Sequence, residues 1–442
     1  MTLALLVGVL GIPAVALRFF CVGHSCDREA PAASGVPFCS LESGLRSRIT
    51  AGFREGRSPE ALAVARPDSV AGGSELARRD VSPPWPSRDL EGTRVPIVFA
   101  GEGVARAELP EGTPLTGIAP TLADIIDFER PFPNVRSGES LEDVATGLRP
   151  RLLLQVIFKG IGSADLEAQP ESWPFLRALM EEGAATMDGD TGSLPLDPAA
   201  AISTVGTGGS PSQHGITGEF VRTDEGRLVR SFSNKAESPV IATLADDLDE
   251  ALGQRPLIGL VGGSATDRGA IGGRWYGSAG DTDEVIITNR DRARAAARML
   301  EGSSGGAFGV DRVPDLVSVV LEGDIASMDR ELKRVAAAAD EAANGSVALA
   351  VTATGSLRSN QPPDGSDIIG GSEIARAVDE AVGAQVTEAA VPGGLYLDQR
   401  ALTKLELAED VVLRELERLR GPDGPLFEEV FPAITVSFAR YC

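Results

Sequence analysis

The sequence predicts an α/β protein with a mainly parallel central sheet covered by helices on both faces. Three observations carry this. Short, almost wholly apolar runs recur along the chain and read as strands buried on both sides, since strands with one wet face alternate polar and apolar residues. Helix-length stretches separate these runs, as crossovers between parallel strands require. The 442 residues are 43% hydrophobic and 24% charged, enough for a packed core in one large domain or two smaller ones and unlike a disordered chain.

The chain opens on Leu3–Phe20, apolar apart from Arg18. The run is too continuous for an amphipathic surface helix and short for a membrane span. Ala14-Val15-Ala16 offers a small-x-small cleavage site, although no basic residues precede the apolar core. A cleaved signal peptide or a membrane anchor over residues 1–20 places the rest of the chain at or beyond a membrane. A buried globular helix is the third reading. Cys21, Cys26 and Cys39 follow closely, and Cys442 is the last residue. Four cysteines allow three connectivities. Cys21 and Cys26 are spaced unlike a zinc knuckle, so a disulfide is expected, with its partners left open. Residues 21–93 read as a loosely structured Pro-, Gly- and Ser-rich lead-in with one helix near Ser43–Phe53.

The texture changes at Arg94, where a domain over residues 94–442 begins. Val95–Gly101 reads as a buried strand bounded by charge and glycine, and Ala119-Pro120-Thr121 opens a helix. Leu152–Phe158 is a second buried strand, followed by a helix over Ser172–Glu182 that stops at Gly183. Leu257–Gly263, Glu284–Thr288, Asp315–Asp324 and Ser346–Gly355 read as further strands. Helices are expected at Asp291–Leu300, Met328–Ala343, Ser372–Val382 and Leu402–Leu419, and Phe427–Cys442 reads as a terminal strand.

Three segments share a pattern with one enzyme superfamily. Thr207-Gly208-Gly209-Ser210-Pro211-Ser212-Gln213-His214-Gly215-Ile216 is similar to a T-G-x-x-P-x-x-H-G-I/V segment. VPIVFAGEGV at Val95–Val104, with IAPTLADII at Ile118–Ile126, resembles a V-P-I strand and its A-P-T helix. LLLQVIFKGIG, from Leu152, is like an opening strand that normally runs into Asp-Gly. Together they resemble the alkaline phosphatase superfamily, in its type I phosphodiesterase and nucleotide pyrophosphatase branch, over about residues 94–358. The resemblance implies a three-layer α/β sandwich. The order departs from the family, because the segment 94–148 normally closes such a domain and here precedes the opening strand. A circular permutation within a single sheet accounts for this, as no second V-P-I…A-P-T copy follows Gly355. A tandem whose first domain has eroded to its C-terminal remnant is the alternative.

The resemblance also implies phosphoester hydrolysis by two metal ions, commonly zinc, and a Thr or Ser nucleophile at a helix N-terminus, where free N–H groups favour an anion. Carried over position by position, the site is degenerate. Lys159 stands where the family has a metal-binding Asp. The nucleophile position falls on Pro198, or on Asp197 if the alignment slips by one, and these make a good N-cap and first helical residue. Ser203 and Thr204 lie deeper in that helix and are expected to be back-bonded or packed. In the Asp-x-x-x-His motif Asp324 persists, but Met328 replaces the histidine. Thr354 and Gly355 stand where Asp and His belong. The chain has two histidines, His24 and His214, and none lies between Cys26 and Val95, where the family's last ligand is expected. Asp324 is the only retained metal candidate, without companions for even an all-oxygen Mg²⁺ or Ca²⁺ site. The expectation is therefore no cofactor and no catalysis. Without metals, Lys159 is expected to lie within about 4 Å of Asp197 or Asp324 and supply the missing positive charge.

The remaining signals are less specific. The net charge of −23 argues against a general nucleic-acid binder. Gly262-Gly263 and Gly272-Gly273 read as turn glycines before phosphate cradles, and Trp275-Tyr276 as anchors for the Gly269–Gly280 loop. Two functions follow. One is a catalytically inactive envelope protein that binds or scaffolds an unidentified ligand or envelope protein. The other is an active phosphoester hydrolase with a divergent site using zinc or another divalent metal.

Overall fold

The apolar runs assemble into one eight-stranded sheet in the computed structural model, which describes residues 37–66, 85–233, 239–273, 276, 284–302, 307–357, 369–421 and 424–442. Leu3–Phe20, Cys21, His24, Cys26 and Trp275 lie outside the described residues. The central sheet contains β2 (Arg94–Gly101), β3 (Ala107–Glu108), β4 (Leu152–Phe158), β5 (Ala184–Asp190), β8 (Ile258–Gly262), β9 (Glu284–Ile287), β10 (Asp315–Leu321) and β11 (Val347–Ala353). Their order is β3-β5-β2-β11-β4-β10-β8-β9. Only β2 runs against the rest, pairing antiparallel with β5 and β11. The V-P-I strand thus sits in the same sheet as the strand that follows it in sequence.

Every residue of β4, β10 and β11 is buried, as their unbroken apolar sequences require. The four polar residues among them are all hydrogen-bonded: Gln155 and Ser318 face each other in register, with Ser318 Oγ donating to Gln155 Oε1 at 2.8 Å, Thr352 Oγ1 donates to Pro96 O, and Asp315 accepts from the N–H of Leu257. Helices α5 (Pro174–Glu182), α9 (Arg292–Glu301) and α10 (Ile325–Ala342) form one packed layer, and α3 (Ile118–Ile125), α6 (Pro198–Thr207) and α8 (Leu244–Ala251) another. Short helices α4 (Ser163–Glu167) and α7 (Pro211–His214) link them to the strands. Helix α6 presses closely on the 3₁₀ turn Ala265–Ala270. A Cβ at Gly206 would lie 2.3 Å from the Gly269 carbonyl oxygen, so only glycine permits that approach.

A second, fully antiparallel sheet corrects the expected lead-in. Residues 37–66 form α1 (Pro37–Ser40), α2 (Ser43–Gly52) and β1 (Ala61–Ala65). β1 lies between β13 (Gly394–Leu397) and β16 (Phe427–Pro432), with β12 (Thr387–Val391) at the edge. The physical reason is the sequence Ala-Leu-Ala-Val-Ala, all five residues buried, which a polar neighbourhood conceals. Trp85, 1% exposed, packs on Phe427 at 4.9 Å between ring centroids, and α11 (Gly371–Val382) covers the same core. The expected helix over Leu402–Leu419 is two helices, α12 (Gln399–Leu405) and α13 (Glu409–Glu417), because Glu406 turns left-handed at φ +54°. The expected terminal strand stops at Pro432, and a 3₁₀ helix over Ala433–Tyr441 follows. Small hairpins β6–β7 (Phe220–Arg222, Leu228–Arg230) and β14–β15 (Arg420–Gly421, Gly424–Pro425) complete the strands. Cys39 and Cys442 form a disulfide. Among the described residues no helix is long and apolar enough to cross a membrane.

Candidate functional site

In an open parallel sheet the C-terminal ends of the strands carry the chemistry. Here those ends bring together Lys159 after β4, the turn after β8, and Thr354-Gly355 after β11. Lys159 Nζ donates to Asp267 Oδ1 at 2.8 Å and to Ser264 Oγ at 3.2 Å. Asp267 Oδ2 accepts from the N–H groups of Gly263 at 2.7 Å and Ser264 at 3.0 Å. The carboxylate is fully buried, and the Lys159 side chain is 16% exposed. An ammonium, two amides and the Ser264 hydroxyl, 3.1 Å from Oδ1, therefore engage this acid. The expected partners Asp197 and Asp324 are not the ones the lysine meets, because Asp267, in the 3₁₀ turn after β8, stands within reach of the end of β4. Asp267 was missed in the sequence, although Ser264-Ala265-Thr266-Asp267 is a Ser-x-x-Asp capping box.

Thr354 is fully buried, and its Oγ1 accepts from the N–H of Gly160 at 2.8 Å, tying β11 to β4. Gly355 adopts φ +96°. A Cβ there would stand 2.9 Å from the Gly92 carbonyl oxygen and 3.0 Å from Leu196 Cδ2, so an imidazole cannot enter without moving backbone. Ser356 N–H donates to Gly92 O at 2.9 Å, and Thr191 N–H to Thr93 O at 3.0 Å. The Glu91–Thr93 turn thus covers the strand ends.

Asp197 and Pro198 begin α6 as N-cap and first residue. Asp197 Oδ1 accepts from the N–H of Ala199 at 2.8 Å and Oδ2 from that of Glu219 at 2.9 Å. Burial pushes its carboxyl up to about 6 against these stabilising hydrogen bonds. Ser203 Oγ donates to Ala199 O at 2.8 Å, and the Thr204 hydroxyl lies 3.1 Å from His214 Nε2. His214 Nδ1 accepts from the N–H of Ile216 at 3.1 Å, so Nε2 carries the proton and the buried ring is neutral. Burial, reinforced by Arg54 and Arg57, pulls its pKa down to about 3. Asp324 is apart from this region. It is the exposed N-cap of α10, held below the usual carboxylate range by the hydroxyl and N–H of Ser327. Met328 is 1% exposed in the central core.

These residues do not fit a dinuclear metal site. Its positions offer an ammonium, a carboxylate already engaged by two amides, a lone surface carboxylate, a thioether sealed in the core, a hydroxyl bonded to an amide, and a glycine without room for a side chain. The glycine pairs offer no anion cradle either: Gly263 and Gly273 give their N–H groups to Asp267 and Asp246. Tyr276 Oη donates to Asp247 Oδ1 at 2.8 Å. Beside Asp197 a small apolar cleft of about 40 Å³ opens against the second sheet, lined among others by Phe53, Pro86, Leu194, Thr217, Phe220 and Tyr396.

Residues 153–419 match the type I phosphodiesterase / nucleotide pyrophosphatase family. No curated protein matches significantly. Among solved structures, wild-type alkaline phosphatase PafA is similar with a TM-score of 0.44 at 15% identity, over 61% of this chain and 77% of that one. A mutant form of PafA gives 0.42 at 14% identity, over 61% and 76%. Phosphonoacetate hydrolase from Sinorhizobium meliloti 1021, solved with phosphonoacetate, gives 0.34 at 16% identity, over 55% and 65%.

Proposed function

The chain belongs to the type I phosphodiesterase / nucleotide pyrophosphatase family, and from that premise we propose that it is a catalytically inactive member, an envelope protein that binds or scaffolds. The observation that carries this reading is the Lys159–Asp267 pair. A tethered ammonium at the end of β4 repels a dication, and its counter-carboxylate is already engaged by that ammonium, two amides and the Ser264 hydroxyl. The start of α6 supports the same reading, since Asp197 takes the Ala199 N–H that would otherwise face a phosphoryl oxygen. No serine or threonine hydroxyl stands at that helix start, and Ser203 is turned back onto Ala199. The Cys39–Cys442 disulfide is consistent with an oxidising compartment, and Leu3–Phe20 supplies the route to it, as exported or membrane-anchored chain.

The test is metal content of the purified full chain by mass spectrometry, with turnover of p-nitrophenyl phosphate and bis(p-nitrophenyl) phosphate in added Zn²⁺, Mn²⁺ or Mg²⁺. The expected result is substoichiometric metal and no turnover above the uncatalysed rate. Stoichiometric zinc with chelator-sensitive turnover would return the chain to the active hydrolases.

A further inference from the structure

The 3₁₀ helix Ala433–Tyr441 buries Val436 in the cluster with Phe38, Leu45 and Ile49, and turns three large apolar side chains outward. Ile434 is 50% exposed, Phe438 54% and Tyr441 62%. The rings of Phe438 and Tyr441 stand 6.3 Å apart, and the Arg440 guanidinium lies 4.8 Å over the Tyr441 ring. An apolar cluster of this kind, ending in a tyrosine and an arginine, has the composition of a membrane-interface anchor: rings among headgroups, a phenol and guanidinium reaching water.

The covalent chain says what covers it. The helix runs to Tyr441, next to Cys442, which is bonded to Cys39, and eighteen residues lie between Cys39 and Phe20, the end of the apolar run. Even fully extended, that stretch reaches only about 65 Å. With Leu3–Phe20 retained in a bilayer, the patch is leashed to the same surface, and the high effective concentration lets three side chains suffice. We propose that Ile434, Phe438 and Tyr441 seat the folded chain on a phospholipid bilayer beside its N-terminal anchor. The inference rests on reading Leu3–Phe20 as a retained anchor. Attraction to anionic lipid plays no part, because the chain carries −23 and Glu55 adjoins the patch through its bond from Ser437.

Full-length chain carrying Phe438→Trp is reconstituted into phosphatidylcholine vesicles and compared with Phe132→Trp, a change at a more open phenylalanine, 69% exposed, elsewhere on the surface. Both sites are exposed, so neither change touches the core, and equal thermal unfolding to the parent checks this. The expected result is an indole at 438 that is blue-shifted, shielded from iodide and quenched several-fold more by lipids brominated in the upper acyl chain than the indole at 132. Adding phosphatidylglycerol should leave that ratio unchanged. Vesicle-bound protein whose two indoles are equally open to iodide overturns the inference and leaves the anchor reading intact. Folded protein that stays free of vesicles overturns both.

Discussion

A lysine at the end of β4 is a single-letter departure with a large energetic consequence. Removing one partner of a buried ion pair leaves an uncompensated charge, at about 3–5 kcal/mol. Lys159→Met should therefore lower stability by roughly 3 kcal/mol, the lower end because the lysine retains some exposure. Adding Asp267→Asn should recover part of the loss, since the charge goes while an acceptor for Gly263 or Ser264 remains. Urea midpoints check both, and a double variant no better than the single one would mean that charge is not the source. The lysine's departure from family chemistry was legible in the sequence. Its partner was not, because the pairing depends on how a capping turn after β8 folds toward β4. Asp197 gives a second residue-scale prediction. Its carboxyl titrates at about 6 when folded and near 3.8 when unfolded, so protons bind the folded state more tightly. Its contribution is fully present below about pH 4 and is lost as pH rises through 6, up to about 3 kcal/mol in all. His214 acts oppositely, its contribution lost as pH falls from about 6.5 toward 3, so the parent curve alone hides both. The stability difference between the parent and Asp197→Asn should shrink steadily from pH 4 to 6. A constant difference would show that Asp197 titrates alike in the folded and the unfolded chain.

Strands that are apolar on both faces announce themselves: β4, β8 and β11 were legible to within a residue or two, and β10, expected to run to Asp324, ends three residues earlier at Leu321. β5 was not: Ala-Ala-Thr-Met-Asp-Gly-Asp carries two acids and a glycine, and forms a strand only because β2 lies beside it. Tertiary pairing there overrides local preference. Glu406 splits one expected helix in two, since an isolated left-handed residue leaves no mark in periodicity. The same scale holds a buried clamp. Arg130 and Arg136 flank the loop Pro131–Val135, and both donate to Asp247 Oδ2, Arg130 from Nε at 3.0 Å and Arg136 from Nη2 at 2.8 Å. Arg130 also donates to Thr207 O at 2.9 Å, at the C-terminus of α6. Asp247 is fully buried, so Asp247→Ala strands two guanidinium groups together. The expected cost is about 4 kcal/mol, with faster hydrogen exchange through residues 130–138 and the last turn of α6. Equal protection in both proteins would show that packing, not charge, holds this loop.

The three matched segments gave the main sheet and the permuted order raised the question of which sheet the V-P-I strand joins, yet nothing local indicated that the N-terminal region is built into a second one. That sheet closes only at the level of the whole chain: β1 pairs with strands more than 300 residues away, Ala61 opposite Leu395 on one side and Pro432 on the other. The Cys39–Cys442 disulfide fixes the same closure across a sequence separation of 403. In the chain-entropy treatment a loop of that size is worth about 6 kcal/mol, and compaction of the unfolded chain reduces it. Reduction, or Cys39→Ser, should therefore lower the unfolding free energy by about 3–4 kcal/mol while the native circular dichroism is unchanged, because β1 and β16 remain paired without the bond. The sign of a second quantity separates this account from native-state damage. If the disulfide acts on the unfolded ensemble, breaking it lets that ensemble expand, and the urea slope must rise. A slope that falls, with loss of native signal, would mean that the bond holds α1 and the last helix in place, and the stabilisation would then belong to the folded state.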